Sequence, residues 1–135
     1  MTQYISTITL LVNDYDEALN YYKNVLLFEL IEDIHMNSVK RRIIIRPKNS
    51  NNNIGIVLAK ATNDEQKMRV GNQVGGRVLM ILNTDNFDED YKLYKRNGVE
   101  FMEEPRNEKY GKVVVFKDLY GNMYDLIENK NSKYV

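Results

Sequence analysis

Apolar and polar positions along this chain divide it into short β-prone runs separated by two amphipathic helical stretches. Residues 5–12, Ile-Ser-Thr-Ile-Thr-Leu-Leu-Val, are rich in β-branched side chains and predict a strand. Asn13 and Asp14 end it, and Asp14 with Glu17 three positions later forms a capping-box pattern. Behind that cap Ala18, Tyr22, Val25 and Leu26 recur on one helical face, while Asp16, Asn20 and Lys23 fall outside it. Residues 27–34 and 40–46 read as strands joined by a turn through His35, Met36, Asn37 and Ser38. A polar loop follows over 47–53, and 54–60 reads as a further strand.

The pattern then breaks. Asn63, Asp64, Glu65 and Gln66 start a short helix that Gly71 stops, and 61–76 is expected to connect two halves. Residues 77–83 resume as a strand. Asn86 with Glu89 repeats the capping pattern, Tyr91, Leu93 and Tyr94 face inward, and Gly98 supplies the helix end. A strand over 99–102, a loop over 103–108 and a closing hairpin follow. That hairpin has strands at 112–117 and 123–128 around Asp118-Leu119-Tyr120-Gly121-Asn122, where Gly121 and Asn122 tolerate the positive φ of a tight turn.

The second half is a copy of the first. A shift of 72 carries Asp16-Glu17 onto Asp88-Glu89 and Tyr22-Lys23 onto Tyr94-Lys95. A shift of 71 carries Lys40 onto Gly111, and one of 69 carries Asn53-Ile54 onto Asn122-Met123. Few identities survive, but order, caps and spacing agree, which is the signature of a duplicated βαβββ unit. The expected organisation is α+β: a first module over 4–60, the connector 61–76 and a second module over 77–129. Neither module is large enough to bury a sheet face alone, so the two are expected to pack together.

Composition narrows the partners. Nineteen basic residues balance nineteen acidic ones, so there is no footprint for nucleic acid or an anionic membrane surface. With no cysteine, disulfides, thiolate metal sites and a cysteine nucleophile are excluded, in keeping with a cytoplasmic setting. No apolar run approaches the roughly 20 residues of a membrane-spanning helix, and the start of the chain lacks a signal-peptide pattern.

Val12-Asn13-Asp14-Tyr15-Asp16-Glu17-Ala18 early and Asp118-Leu119-Tyr120-Gly121-Asn122-Met123-Tyr124-Asp125-Leu126-Ile127 late, within a tandem βαβββ order, resemble the vicinal oxygen chelate superfamily. That is the family of glyoxalase I, bleomycin- and fosfomycin-resistance proteins and extradiol dioxygenases. Leu27 stands where many members carry glycine. The resemblance implies two tandem βαβββ modules that each form a half-barrel around a shared cleft, a homodimer, and, in metal-dependent members, a ligand on the first and last strand of each module. Those positions fall on Thr7, its repeat mate Leu79, Asp125 and its repeat mate Ile56. Leucine and isoleucine offer no lone pair, so a metal-independent site is expected, with no cofactor.

Asp125 is the candidate base: burial would raise its pKa unless a cation pairs with it. The competing reading is a carboxylate tied to an arginine such as Arg42, Arg46, Arg77 or Arg106. Alternation places Arg42, Ile44 and Arg46 on one strand face and Arg41, Ile43 and Ile45 on the other, so an inward Arg42 would clamp an anionic group. Among ten tyrosines, Tyr110, Tyr120 and Tyr124 flank the closing hairpin and are candidates to stack on a planar ligand. His35, the one histidine, sits at a turn and reads as an exposed loop residue. The expected function is a metal-free small-molecule binder of bleomycin-resistance type with Thr7, Arg42, Ile56, Leu79, Tyr110 and Tyr124 around the ligand. The alternative is an enzyme: a metal-independent isomerase or lyase with Asp125 as base, a metal-dependent lactoylglutathione-lyase-like lyase of glyoxalase type, or a dioxygenase-type enzyme.

Overall fold

The computed structural model describes residues 1–50 and 54–130. The chain divides into two compact units, Met1–Val70 and Gly71–Val135. The first contains β1 (Thr7–Val12), α1 (Tyr15–Asn24), β2 (Glu29–His35), β3 (Arg41–Arg46), β4 (Gly55–Lys60) and α2 (Asp64–Arg69). Its sheet runs β1-β4-β3-β2, with β1 and β4 parallel and the other pairs antiparallel. The second contains β5 (Val78–Asn83), α3 (Phe87–Arg96), β6 (Glu100–Phe101), β7 (Arg106–Glu108), β8 (Gly111–Lys117) and β9 (Met123–Asn129). It repeats the topology as β5-β9-β8-β6, with β5 and β9 parallel and β7 also on β8.

The duplicated βαβββ order is present in both units. One departure is the strand that follows α3, which is split. Pro105 has no N–H to donate, and the segment around it leaves β8 before Arg106, Asn107 and Glu108 rejoin against Val113, Lys112 and Gly111. Residues 106–108 were expected to be loop; three polar residues carry no alternation that marks a strand.

The helix starts follow the expected caps. Asp14 accepts the Glu17 N–H at 2.9 Å, and Asn63 accepts the Gln66 N–H at 2.8 Å. Asn86 accepts from the Glu89 N–H at 3.3 Å while its amide donates back to the Glu89 carboxylate at 2.7 Å. At the other ends the repeats differ. Gly98 takes φ 86°, whereas Leu27 takes φ 62°, a left-handed conformation rare for a branched side chain. There the Phe28 N–H closes on the Tyr22 carbonyl at 2.8 Å. The strand expected from residue 27 therefore begins only at Glu29.

In the first unit Leu10, Val12, Ile43, Ile45, Ile56 and Leu58 are buried on the face that meets α1, whose buried residues are Ala18 and Tyr22, and Leu26 just beyond the helix is buried too. Each such side chain contributes about 1.5–3 kcal/mol on burial. In the second, Tyr94 of α3 meets Phe116 edge-on at 5.6 Å, and Phe116 stacks on Tyr124 at 5.0 Å. The turn before β9 is tied by Asp118. Gly71, at φ 78°, lies so close to the Tyr120 carbonyl that any side chain there would overlap it, which anchors the start of the second unit to its last turn. No helix in the described residues is long and apolar enough to cross a membrane.

Candidate ligand-binding face

In the second unit the strand register sets Asp125 of β9 directly between Ile81 of β5 and Val115 of β8. Residues opposed across a ladder share a face, so these three side chains form a row. Tyr124 and Leu126, one step away, point to the opposite face and are buried there. The face bearing the row is open at its β5 edge, where Ile81 is 65% exposed, and Asp125 and Val115 are half-buried.

Arg106, opposite Val113, reaches the same face. Its Nε donates to Glu103 at 2.9 Å and its Nη1 to Glu108 at 2.5 Å. Together with Tyr110 these bonds raise its already high pKa. Glu103 also accepts the Val115 N–H at 3.2 Å. With its guanidinium committed to two glutamates, Arg106 acts on Asp125 as a nearby charge. Burial pushes the Asp125 carboxyl above its ordinary value; Arg106 opposes that shift and Glu103 adds to it. The result is a half-buried carboxyl that holds its proton more readily than a free aspartate.

The first unit carries the same row without a carboxylate: Thr9, Val57 and Ile44. Val57 thus stands where Asp125 stands in its repeat. Ile56 was expected to be that mate, but it pairs with Ile8 and Ile45 and is 4% exposed in the core on the α1 side. The displacement is one residue, and a one-residue slip reverses every side chain on a strand. Thr7 does lie on the open face, with its methyl against the position a Gly55 side chain would take. Arg42 shares that face with Ile44, as alternation requires, and is paired with Glu32 at 2.6 Å while half exposed.

Leu79 falls at a bulge between Val78 and Met80 and is half-buried. Tyr110 is 50% exposed in the β7–β8 hairpin beside Arg106. Tyr124 was expected to stack on a ligand; it is 1% exposed and its ring is taken up by Phe116. The row residues Ile81 and Val115, with Glu103, were not singled out from the sequence. Ile81 was within reach of it, being two positions along the strand from Leu79 and so nominally on the same face. Glu103 carried no signal, because its role depends on an irregular segment.

A divalent ion does not fit the positions Thr7, Leu79, Asp125 and either Ile56 or Val57, which together offer one carboxylate and one hydroxyl. Among the described residues no three histidine, cysteine, aspartate or glutamate side chains are grouped so as to hold a metal ion.

The family model of the Glyoxalase/Bleomycin resistance protein/Dioxygenase superfamily matches residues 4–126. The chain belongs to this superfamily. It is 46% identical over 129 residues to an uncharacterized protein of Shewanella frigidimarina (strain NCIMB 400), covering 95% of each. Among solved structures of similar fold, UcmS2 is 26% identical with a TM-score of 0.80, the match covering 94% of this chain and 98% of that one. TnmS3, an antibiotic binding protein from Streptomyces sp. CB03234, has a TM-score of 0.73 at 21% identity, with 96% and 98% covered. At that identity TnmS3 speaks for the fold alone. The superfamily's two-module α+β fold is the one described above.

Proposed function

We propose that this superfamily member binds a small amphipathic molecule without a metal, against the open sheet face that carries Ile81, Asp125 and Val115. The observation that carries the reading is Asp125 itself. A carboxyl whose pKa is raised by burial, set between two apolar side chains, is suited to a ligand that offers an apolar surface with one polar group. Tyr110, at the rim beside Arg106, supplies an aromatic edge for a planar ligand. The first unit carries Thr7 and Arg42 on the open face of its own sheet. A homodimer, as the resemblance implies, completes this reading and is checked by light scattering.

The test is a ligand screen by calorimetry on the wild-type protein and on Asp125→Asn and Ile81→Asp, with elemental analysis of the native protein. Loss of a group hydrogen-bonded to a charged partner costs about 1.5–3 kcal/mol, so affinity should fall at least about tenfold in Asp125→Asn, with no turnover of the ligand in either protein. A stoichiometric divalent ion in the native protein, or a ligand insensitive to both substitutions, would overturn the reading.

The raised pKa also favours a second reading, a metal-independent lyase or isomerase in which Asp125 removes a proton from the substrate. It is separated from the first by turnover: a base lost in Asp125→Asn lowers the rate about 10²-fold or more.

A further inference from the structure

On the α1 side of the first unit's sheet, a shallow cavity of about 620 Å³ opens at the exit of α1. It is lined by the apolar Leu27, Phe28 and Leu30 together with Lys23, Asn24, Glu29 and Lys48. Lys23 belongs to the last turn of α1, and Lys48 to the loop after β3.

The backbone under this cavity is held in an unfavourable form. Leu27 and Asn49 are the two non-glycine residues at positive φ in the described chain, at 62° and 59°. Leu27 lines the cavity, and Asn49 directly follows Lys48. At the repeat position of Leu27 the second unit uses Gly98, which adopts the same conformation without strain. The corresponding depression beside α3 is lined by Lys92, Lys95 and Arg96, with no apolar residue. A strained conformation kept where glycine would serve points to a use for the side chain, and here that side chain lines the cavity.

We propose that this cavity is a second binding site, for a small amphipathic monoanion such as a medium-chain carboxylate. The alkyl chain lies on Leu27, Phe28 and Leu30, and the carboxylate sits between Lys23 and Lys48. Two cations against one carboxylate in the lining set the sign of the ligand's charge, and the apolar residues require a hydrocarbon body. The site is independent of Asp125.

The test uses decanoate below its micellar concentration, titrated into the full chain and followed by amide and methyl NMR shifts. Decyltrimethylammonium serves as the charge-reversed control. Saturable binding of decanoate, with shifts at Lys23, Leu27, Leu30 and Lys48 and none with the control, is expected. Exposed ion pairs are individually weak, so Lys23→Ala/Lys48→Ala should weaken decanoate about fivefold to tenfold. Leu30→Ser should weaken it as well, and Asp125→Asn should leave it unchanged. Because Lys23 and Lys48 are surface residues, the double variant should fold, and its amide spectrum checks this. The inference is overturned if decanoate does not saturate, if its shifts fall in the second unit, if the cationic control binds equally, or if the double variant binds as wild type.

Discussion

Asp118 and Asn122 hold the last turn of the chain closed on each other. The Asp118 carboxylate accepts the Asn122 side-chain amide at 2.9 Å and the Asn122 and Tyr120 N–H groups, each at 2.9 Å. Both side chains are buried, at 6% and 3% exposure. Asp118→Ala would leave two backbone N–H groups and an amide short of acceptors. Buried donors without partners cost about 1–3 kcal/mol each before relaxation, so a loss of about 3 kcal/mol is expected, measured by urea denaturation. A loss below about 0.5 kcal/mol, the range of ordinary surface changes, would contradict the role given to this turn.

Asp125 makes its own contribution to stability, and its sign is unusual for an aspartate. A folded-state pKa raised above the ordinary value of 3.8, chiefly by burial, means that the folded protein holds this proton more tightly than the unfolded chain does. Stability linked to this group is fully present below its unfolded pKa and is lost as pH rises through the folded one. Asp125→Asn imitates the protonated carboxyl. It should therefore stabilise the protein at neutral pH, and the gain should shrink as pH falls and vanish below the ordinary value. Thermal melts of both proteins across acidic pH test this; a gain that grows on acidification is the wrong sign.

Arg41 ties α1 to its sheet. It bonds Asp16 of the helix at 2.7 Å and Asp33 of β2 at 2.8 Å, is 15% exposed, and lies over the Tyr15 ring at 5.6 Å. The hydrogen bond from Arg41 is the main reason the Asp33 pKa is lowered. Arg41→Ala should cost about 1–2 kcal/mol, the sum of modest partly exposed pairs and ring contact. For wild type, the Asp33 part is present above the unfolded pKa and lost as pH falls through the folded one, so the gap between the two proteins should narrow in acid. An unchanged gap from neutral to strongly acidic pH would remove Asp33 from the account.

Leu27 and Gly98 close equivalent helices with the same sign of φ, 62° and 86°. The left-handed conformation costs a non-glycine residue about 1–2 kcal/mol, partly offset in Leu27→Gly by the greater entropy of an unfolded glycine, about 0.4–1 kcal/mol. A net gain of up to about 1 kcal/mol is expected from Leu27→Gly, and a loss of about 1–2 kcal/mol from Gly98→Leu. Paired thermal melts distinguish strain from packing: if Leu27→Gly destabilises strongly, the leucine is a packing residue first.

Much of this architecture was legible from local signals. Asp14, Asn63 and Asn86 announced their helices because an N-cap acts within three residues of itself. The closing hairpin was legible because its turn residues and β-branched flanks sit side by side. The strand at Arg106 was not, since its pairing partners lie across a hairpin and its own residues are polar. Leu27 was noted as out of place, and the structure shows why the place matters: the chain turns there through a conformation that glycine would adopt freely.

The candidate face was legible only in part. From the sequence alone came the order of elements, the duplication and the balance of charge, all of which depend on residue identity and short spacing. Which side chains stand beside Asp125 was decided by tertiary structure. Ile81, Val115, Arg106 and Glu103 come from three further segments, and Val57 rather than Ile56 is its repeat mate. The physical reason is register. Side chains alternate along a strand, so a face is assigned only once a strand is paired with partners distant in sequence, and a single-residue slip exchanges core for surface.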